Sequence, residues 1–400
     1  MSAQTPLLSD LGIGKFGLRI MSKLGLSPAP SAMPSYQTES SPLLTSGNMK
    51  SEGIGTPSDI ITFSREGQPS LEERFYNLFK GKTHGDFNPE LYTNGGAKAF
   101  LEMAHGTKGY QQETGDLAVL KDNKSKISEF LENAKTIVLV GPGSCDKELE
   151  LLRLAPKVKE VFIYELSPEF NEHAYWRVSQ FAAQELGHSV DIKAYNCDFR
   201  RPPFEPSHGP ASVICIGGLT NPENMPKESF PSGHYADFLE SLKRLSDPRK
   251  ENDPRSKILM SFTTASSEDQ MRGIYDNAAF HKWILHPLNR LQRTGNVEGL
   301  KPEAFKYTGT YYETSGLFAH HIEATETQSL SLRFTDSQTG KERKEKISVF
   351  EGSRFNLLTS TGMRTDNLST VARDVGLDTD QILQARDPQI FQRWQIFSLS

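Results

Sequence analysis

Thr136–Lys147 reads TIVLVGPGSCDK, five apolar or β-branched residues that run straight into a loop with two glycines. A run with no polar alternation fits a strand buried on both faces of a sheet, and the glycines allow the tight exit such a strand needs. The same kind of run recurs at Val161–Tyr164 (VFIY), Val190–Tyr195, Ser212–Ile216 (SVICI) and Lys257–Phe262. Helix-length segments separate these runs, which predicts parallel strands joined by right-handed crossovers. The expected fold class is therefore α/β, with a doubly wound, Rossmann-like sheet.

Outward from this core the pattern changes. One long helix is expected from Met271 to Arg293, followed by strands at Thr308–Thr314, Phe318–Thr325, Leu330–Thr335 and Lys344–Phe350, and a last strand at Trp394–Leu399. Upstream, helices are expected over Gly96–Ala104 and Asp116–Leu131. Ser70 followed three residues later by Glu73 resembles a capping box, with Leu71, Phe75, Leu78 and Phe79 on one helical face. From about Ser27 to Gly67 the chain is rich in Ser, Pro, Gly and Thr and is expected to be disordered.

Composition narrows the function classes. The 400 residues are 36% hydrophobic and 24% charged with a net charge of -5, which lacks the basic excess of a nucleic-acid binder. The three cysteines, Cys145, Cys197 and Cys215, have no disulfide or zinc spacing, so an intracellular, cytoplasmic protein without a metal is expected. No apolar run approaches the roughly 20 residues of a membrane span. The opening Met1–Leu26 segment is interrupted by Lys15, Arg19 and Lys23 and is not a secretory signal.

In open α/β sheets ligands bind beyond the carboxyl ends of the strands. There the sequence offers Gly141, Gly143, Ser144 and Lys147 after the first strand, Glu165 after the second, Asp198 and Phe199 after the third, and Gly217 and Gly218 after the fourth. Glycines admit close approach of a ligand, an acid after the second strand can accept hydrogen bonds from ribose hydroxyls, and an Asp-Phe pair can read and cover an adenine. Each feature alone is common in ordinary sheets; together they favour a nucleoside cofactor. A nicotinamide dinucleotide is the rival. Its fingerprint needs a third glycine where this chain has Asp146, whose charge would repel a pyrophosphate. S-adenosylmethionine, a sulfonium without phosphate, fits better.

The chain from about Tyr92 onward resembles the histidine-specific N-alpha-methyltransferases of ergothioneine biosynthesis and their fungal relatives acting on tryptophan derivatives. The segment LYTNGGAKAFLEMAHGTKGYQQETGDLAVL (Leu91–Leu120) is similar to the family's paired Tyr motifs, with Gln111 and Glu113 in place of Pro and Arg. GPGSCDK follows its Gly-x-Gly-x-x-x-Lys loop, YELS, CDF and GGLTN follow its strand ends, and IYDNAAFHKWILHPLNRL follows its substrate helix. The resemblance implies a methyltransferase with a second, α+β substrate-binding lobe. It divides the chain into a leader (1–67), a first part of that lobe (68–116), the methyltransferase core (117–270), a second part of the lobe (271–357) and C-terminal strands completing the sheet (358–400). It also implies that Tyr110, Asn221 and Tyr275 hold the amino and carboxylate groups of an amino-acid substrate as the catalytic set, with Tyr92 nearby.

Without the resemblance, a tyrosine in a helix is more often a core residue and Asn221 before Pro222 an ordinary turn former. His320 and His321, adjacent in a strand, point to opposite faces, which argues against shared metal ligation. The family reads imidazole with an acid and a serine just after an Arg, whereas this chain has Arg354-Phe355-Asn356-Leu357-Leu358 there. Asn356 and Leu358 at those positions disfavour histidine and predict an acceptor amine on an aromatic or apolar amino acid or derivative, as in secondary metabolism. The rivals are a catalytically silent relative that only binds a ligand, and a histidine methyltransferase.

Overall fold

The structure, a computed structural model, describes residues 60–62, 69–82, 87–106, 111–200, 208–217, 232–248, 253, 255–314, 316–363 and 365–399. Its strands are β1 (Ile60–Thr62), β2 (Thr136–Val140), β3 (Glu160–Glu165), β4 (Asp191–Asn196), β5 (Ser212–Cys215), β6 (Lys257–Thr263), β7 (Val297–Glu298), β8 (Phe305–Tyr312), β9 (Leu317–Ala324), β10 (Gln328–Thr335), β11 (Glu342–Val349), β12 (Arg354–Thr361), β13 (Leu377–Gln384) and β14 (Gln392–Leu399). Eight of them form one sheet in the order β1-β4-β3-β2-β5-β6-β14-β13. The first six are parallel; β14 runs antiparallel to β6 and to β13.

The apolar runs behave as strands covered on both faces. In β2, Ile137 and Leu139 join one apolar cluster while Val138 and Val140 join another, and all four are buried. Burying each such side chain contributes about 1.5–3 kcal/mol, so this strand locks the middle of the sheet. β2 is flanked by β3 on one side and β5 on the other, and the chain order reverses there. A crevice for a ligand belongs at that switch point.

Two antiparallel three-stranded sheets, β11-β10-β7 and β12-β9-β8, share a third apolar cluster with helix Leu71–Phe79 and the helices of residues 268–293. Ser70 Oγ accepts the Glu73 N–H at 3.2 Å, so the expected cap is present. The box is half formed, because the Glu73 carboxylate instead accepts hydrogen bonds from Ser337 N and Oγ at 3.0 and 3.1 Å.

Several expectations are corrected. The single helix over Met271–Arg293 is three: Glu268–Tyr275, Ala278–Ile284 and His286–Arg293. Asn277 starts the second by accepting the Phe280 N–H at 2.9 Å, and Pro287 lacks the N–H that a continuous helix would use. The helix over Asp116–Leu131 is two, Gln111–Asp122 and Lys124–Leu131, broken at Asn123, whose side chain donates to Val119 O and Gln384 O. Ile60–Thr62, inside the expected disordered stretch, adds a parallel edge strand beside β4. The rest of the leader before it lies outside the described residues. The expected boundary at 357/358 falls within β12, which pairs with β9 through Thr361. β7, β12 and helix Thr365–Asp374 were not anticipated. Among the described residues no helix is long and apolar enough to cross a membrane.

Candidate cofactor and acceptor site

The loop after β2 turns through three left-handed residues, Gly141, Gly143 and Cys145, at φ 58°, 55° and 64°. Gly141 N donates to Tyr164 O at 2.8 Å and Cys145 N to Pro142 O at 2.8 Å, so the loop is tied to β3 and to itself. Among the described residues, no atom beyond its chain neighbours lies within 4 Å of where a Gly143 Cβ would stand. Bare backbone therefore faces open space, as a closely approaching ligand requires.

Glu165, at the end of β3, points its carboxylate at this loop. It accepts from Ser167 N at 2.8 Å and from Gly143 N at 3.4 Å. Burial pushes its carboxyl up to about 7, against the opposing pull of those two backbone N–H groups. A buried carboxylate beside an uncovered glycine loop fits a nucleoside with a ribose diol, and these residues accommodate such a cofactor on that ground.

Other expected cofactor residues are held differently. Lys147 is buried and its Nζ meets Asp116 Oδ2 at 3.2 Å; Asp116, fully buried, also accepts from Trp394 Nε1 at 2.7 Å. Ser144 offers its carbonyl to Arg177, which also pairs with Asp146. The Asp146 charge is thus compensated, so the repulsion expected to exclude a pyrophosphate is weakened. Asp198 is gripped by Arg200, and Phe199 is buried edge-on against Phe238 at 5.5 Å. Gly217 N donates to Ser261 Oγ at 2.7 Å, which fixes the exit of β5 against β6. Gly218, Asn221 and Tyr110 lie outside the described residues.

On the side of the small sheets, Tyr275 is buried among Phe280, Phe318 and His320, with ring centroids 5.1, 5.7 and 4.7 Å away. Burial raises its phenol above the ordinary range, opposed by the Ser360 hydroxyl. Burial also raises the Tyr235 phenol, on helix Ser232–Ser246, and the neighbouring Tyr275 adds to the effect. Tyr92 is half-buried between Phe100 and Trp283, at 5.2 and 5.4 Å. The turn after it reaches the helix that follows Glu165, where Gly95 N donates to Glu169 Oε1 at 3.4 Å.

Asn356 and Leu358 are not brought together. A bulge lies between them: Asn356 pairs with His321 and Leu358 with His320. Without the extra residue, positions two apart would share a face; with it they face opposite ways. Leu358 stays in the apolar cluster, whereas Asn356 Nδ2 donates to Thr359 Oγ1 at 3.1 Å on the opposite face. The bulge brings in Ser360 instead, which meets His320 Nε2 at 2.8 Å. Ser360, Tyr307 and Asp116 were missed, since their neighbours are remote in sequence and no local pattern marks them.

A family model described as histidine-specific methyltransferase, SAM-dependent, matches residues 87–390. No curated protein matches the chain. Among solved structures, the CcbJ methyltransferase from Streptomyces caelestis is 10% identical over 70% of this chain and 90% of its own, with a TM-score of 0.32. Magnesium protoporphyrin IX methyltransferase from Synechocystis PCC 6803, with bound S-adenosylhomocysteine, is 11% identical over 78% of this chain and 97% of its own, with a TM-score of 0.38. The family match spans well over half of the 400 residues, and the chain belongs to the histidine-specific, S-adenosylmethionine-dependent methyltransferase family.

Proposed function

We propose that the chain transfers a methyl group from S-adenosylmethionine to the α-amine of an amino acid or derivative with an aromatic or apolar side chain. The observation that carries this reading lies at the positions where the resemblance puts an imidazole-reading acid and serine: Asn356 is uncharged, and Leu358 is buried in the apolar cluster of the small sheets opposite His320. An imidazole there would lack the charged partner that makes its recognition selective. When bound, S-adenosylmethionine supplies an activated methyl group on a sulfonium.

The protein's part is to hold and align. Gly141 and Gly143 leave room for the cofactor, Glu165 accepts its ribose hydroxyls, and Ser144 and Lys147 brace the loop through Arg177 and Asp116. Asp198, Phe199, Gly217 and Gly218 border the same strand ends. On the acceptor side Tyr275, with Tyr92, Tyr110 and Asn221, takes the amino-acid head group. Residues of the small sheets together with helix Leu71–Phe79 make the acceptor lobe. In-line displacement then needs a neutral amine held against the methyl carbon, a matter of proximity rather than of an acid-base pair.

Side-by-side kinetics with tryptophan, tyrosine and histidine test the acceptor. Tryptophan or tyrosine should be methylated, with kcat/KM for histidine lower by about tenfold or more. Efficient trimethylation of histidine would sink the aromatic reading while leaving the methyltransferase family intact.

The raised Glu165 carboxyl gives a second expectation. Ribose hydroxyls donate to the ionised form, so below about 7 the carboxyl must lose a proton before it can bind. Affinity for S-adenosylhomocysteine should therefore fall by up to about tenfold per pH unit on acidification below that value, and level off above it. The unliganded fold should behave oppositely. It holds this proton more tightly than the unfolded chain, so the group's contribution to stability declines as pH rises from about 4.5 to about 7. Calorimetry across this range reads the first effect, and Glu165→Gln should flatten it. A wild-type affinity indifferent to pH would remove Glu165 from the ribose site.

A further inference from the structure

A groove of about 460 Å³ runs along β8, the edge strand of the β12-β9-β8 sheet. Its volume falls within the range of small-molecule sites, roughly 300–1,000 Å³. One flank is the helix Glu268–Tyr275 and its cap, which present Glu268, Arg272 and Asp276; the other is Arg354 of β12, and Thr308 lines the groove from β8. Tyr275 is not among its walls, so the groove lies outside the aromatic enclosure described above.

The two flanks carry opposite charge. On the helix side two acids stand against one cation: Arg272 donates to Glu268 Oε1 at 2.8 Å and to Gly309 O at 3.1 Å, and lies 3.9 Å from Asp276. With His281 counted as neutral, one negative charge is left over. On the sheet side Glu323 is shared by Lys306 at 2.8 Å and by Arg354 Nε at 2.5 Å, so two cations stand against one acid. The Nη nitrogens of Arg354 make no hydrogen bond among the described residues. The flanks meet at the Tyr307–Thr308 end of the strand. Arg354 is in register, through Glu323, with Lys306, while Asp276 holds His281 at 2.9 Å, whose ring lies 4.5 Å from that of Tyr307. At that level Thr308 Oγ1 is buried and has no hydrogen-bond partner. An orphaned buried hydroxyl costs about 1–3 kcal/mol, and a surface of mutually satisfied ion pairs does not account for it.

We propose that this groove is a separate binding site for a small zwitterion, a molecule that carries both a carboxylate and an amine. Arg354 Nη and Thr308 Oγ1 donate to the carboxylate, and Asp276 accepts from the ammonium. Both charges are required. An anion without the amine is repelled by Asp276 and Glu268, and an amine without the carboxylate is repelled by Arg354. The site is independent of the acceptor reading, because none of the residues given to the acceptor's head group or side chain lines it.

The test uses NMR of the full chain with labelled threonine methyl groups, without S-adenosylmethionine, and L-tryptophan as the probe. The Thr308 methyl resonance, identified by its loss in Thr308→Val, should move on titration. Tryptamine, which lacks the carboxylate, and indole-3-propionate, which lacks the amine, should each act there at least about tenfold more weakly, the loss of one charge-assisted contact. Arg354→Gln and Asp276→Asn should each weaken the tryptophan response by about tenfold or more, with a nearly unchanged urea-unfolding midpoint to show an intact fold. Equal responses to the three probes, or a full tryptophan response in both variants, overturn the proposal. So does a Thr308 shift that persists in Arg354→Gln but vanishes in Tyr275→Phe, since that signal is relayed from the aromatic enclosure. No movement up to about 10 mM tryptophan leaves the groove to water and overturns it as well.

Discussion

Gly143→Leu should abolish measurable binding of S-adenosylhomocysteine, and with it methyl transfer, while lowering folding stability by only about 1–2 kcal/mol. The small stability cost is backbone strain: Gly143 sits at φ 55°, where a side chain is disfavoured by about that amount, and among the described residues no atom beyond its chain neighbours lies within 4 Å of the new Cβ. The large binding cost arises because the added side chain occupies the space over the loop that a cofactor must fill. Gly187 provides a matched control. It too is left-handed, at φ 68°, with no described residue beyond its chain neighbours near a Cβ, but it ends the π-helical turn Ala182–Leu186 before β4 starts. Gly187→Leu should carry the same strain and retain the cofactor. Calorimetry on both variants reads the difference. Retained affinity in Gly143→Leu would dismiss the loop as the cofactor site, and equal loss in Gly187→Leu would mean that strain alone weakens binding.

Asp116→Ala should destabilise the fold by about 3–5 kcal/mol, the usual result of removing one partner from a buried ion pair. Asp116 is fully exposed to neither solvent nor crevice; it is enclosed, 3.2 Å from Lys147 Nζ and 2.7 Å from Trp394 Nε1, with Gln392 Nε2 at 3.4 Å. Truncation takes from the Lys147 ammonium and the Trp394 N–H the carboxylate that neutralises one and accepts from both. The double variant Asp116→Leu with Lys147→Met should recover a large part of the loss, since apolar groups of similar size replace the pair without leaving a buried charge. Urea unfolding of the three proteins provides the comparison. A loss below about 1 kcal/mol in Asp116→Ala would mean that water reaches the pair. The consequence is mechanical: Asp116 ties the helix Gln111–Asp122 to β14 and to the helix that leaves the glycine loop.

The sequence by itself determined the parallel sheet, the position of the glycine loop at its switch point, and Glu165 as the acid facing that loop. These follow from short-range regularities: an apolar run with no polar face must be covered on both sides, and a ligand crevice opens at the carboxyl ends of such strands. The Ser70 cap and the strands at Phe318 and Leu330 were legible for the same reason. Only the tertiary structure decided which charges cancel. Lys147 turns to Asp116 and Asp198 to Arg200, so two residues that read as free ligand contacts are already engaged, and Asp146, which read as a free repelling charge, turns to Arg177. It also decided which side chains of β12 share a face. One bulged residue in β12 separates Asn356 from Leu358 and brings Ser360 to His320, because the period of two that fixes a strand's faces is reset by a single insertion. The local pattern of Arg354–Thr361 carries no mark of that insertion. Its pairing with β9 creates it, through contacts more than thirty residues away in the chain.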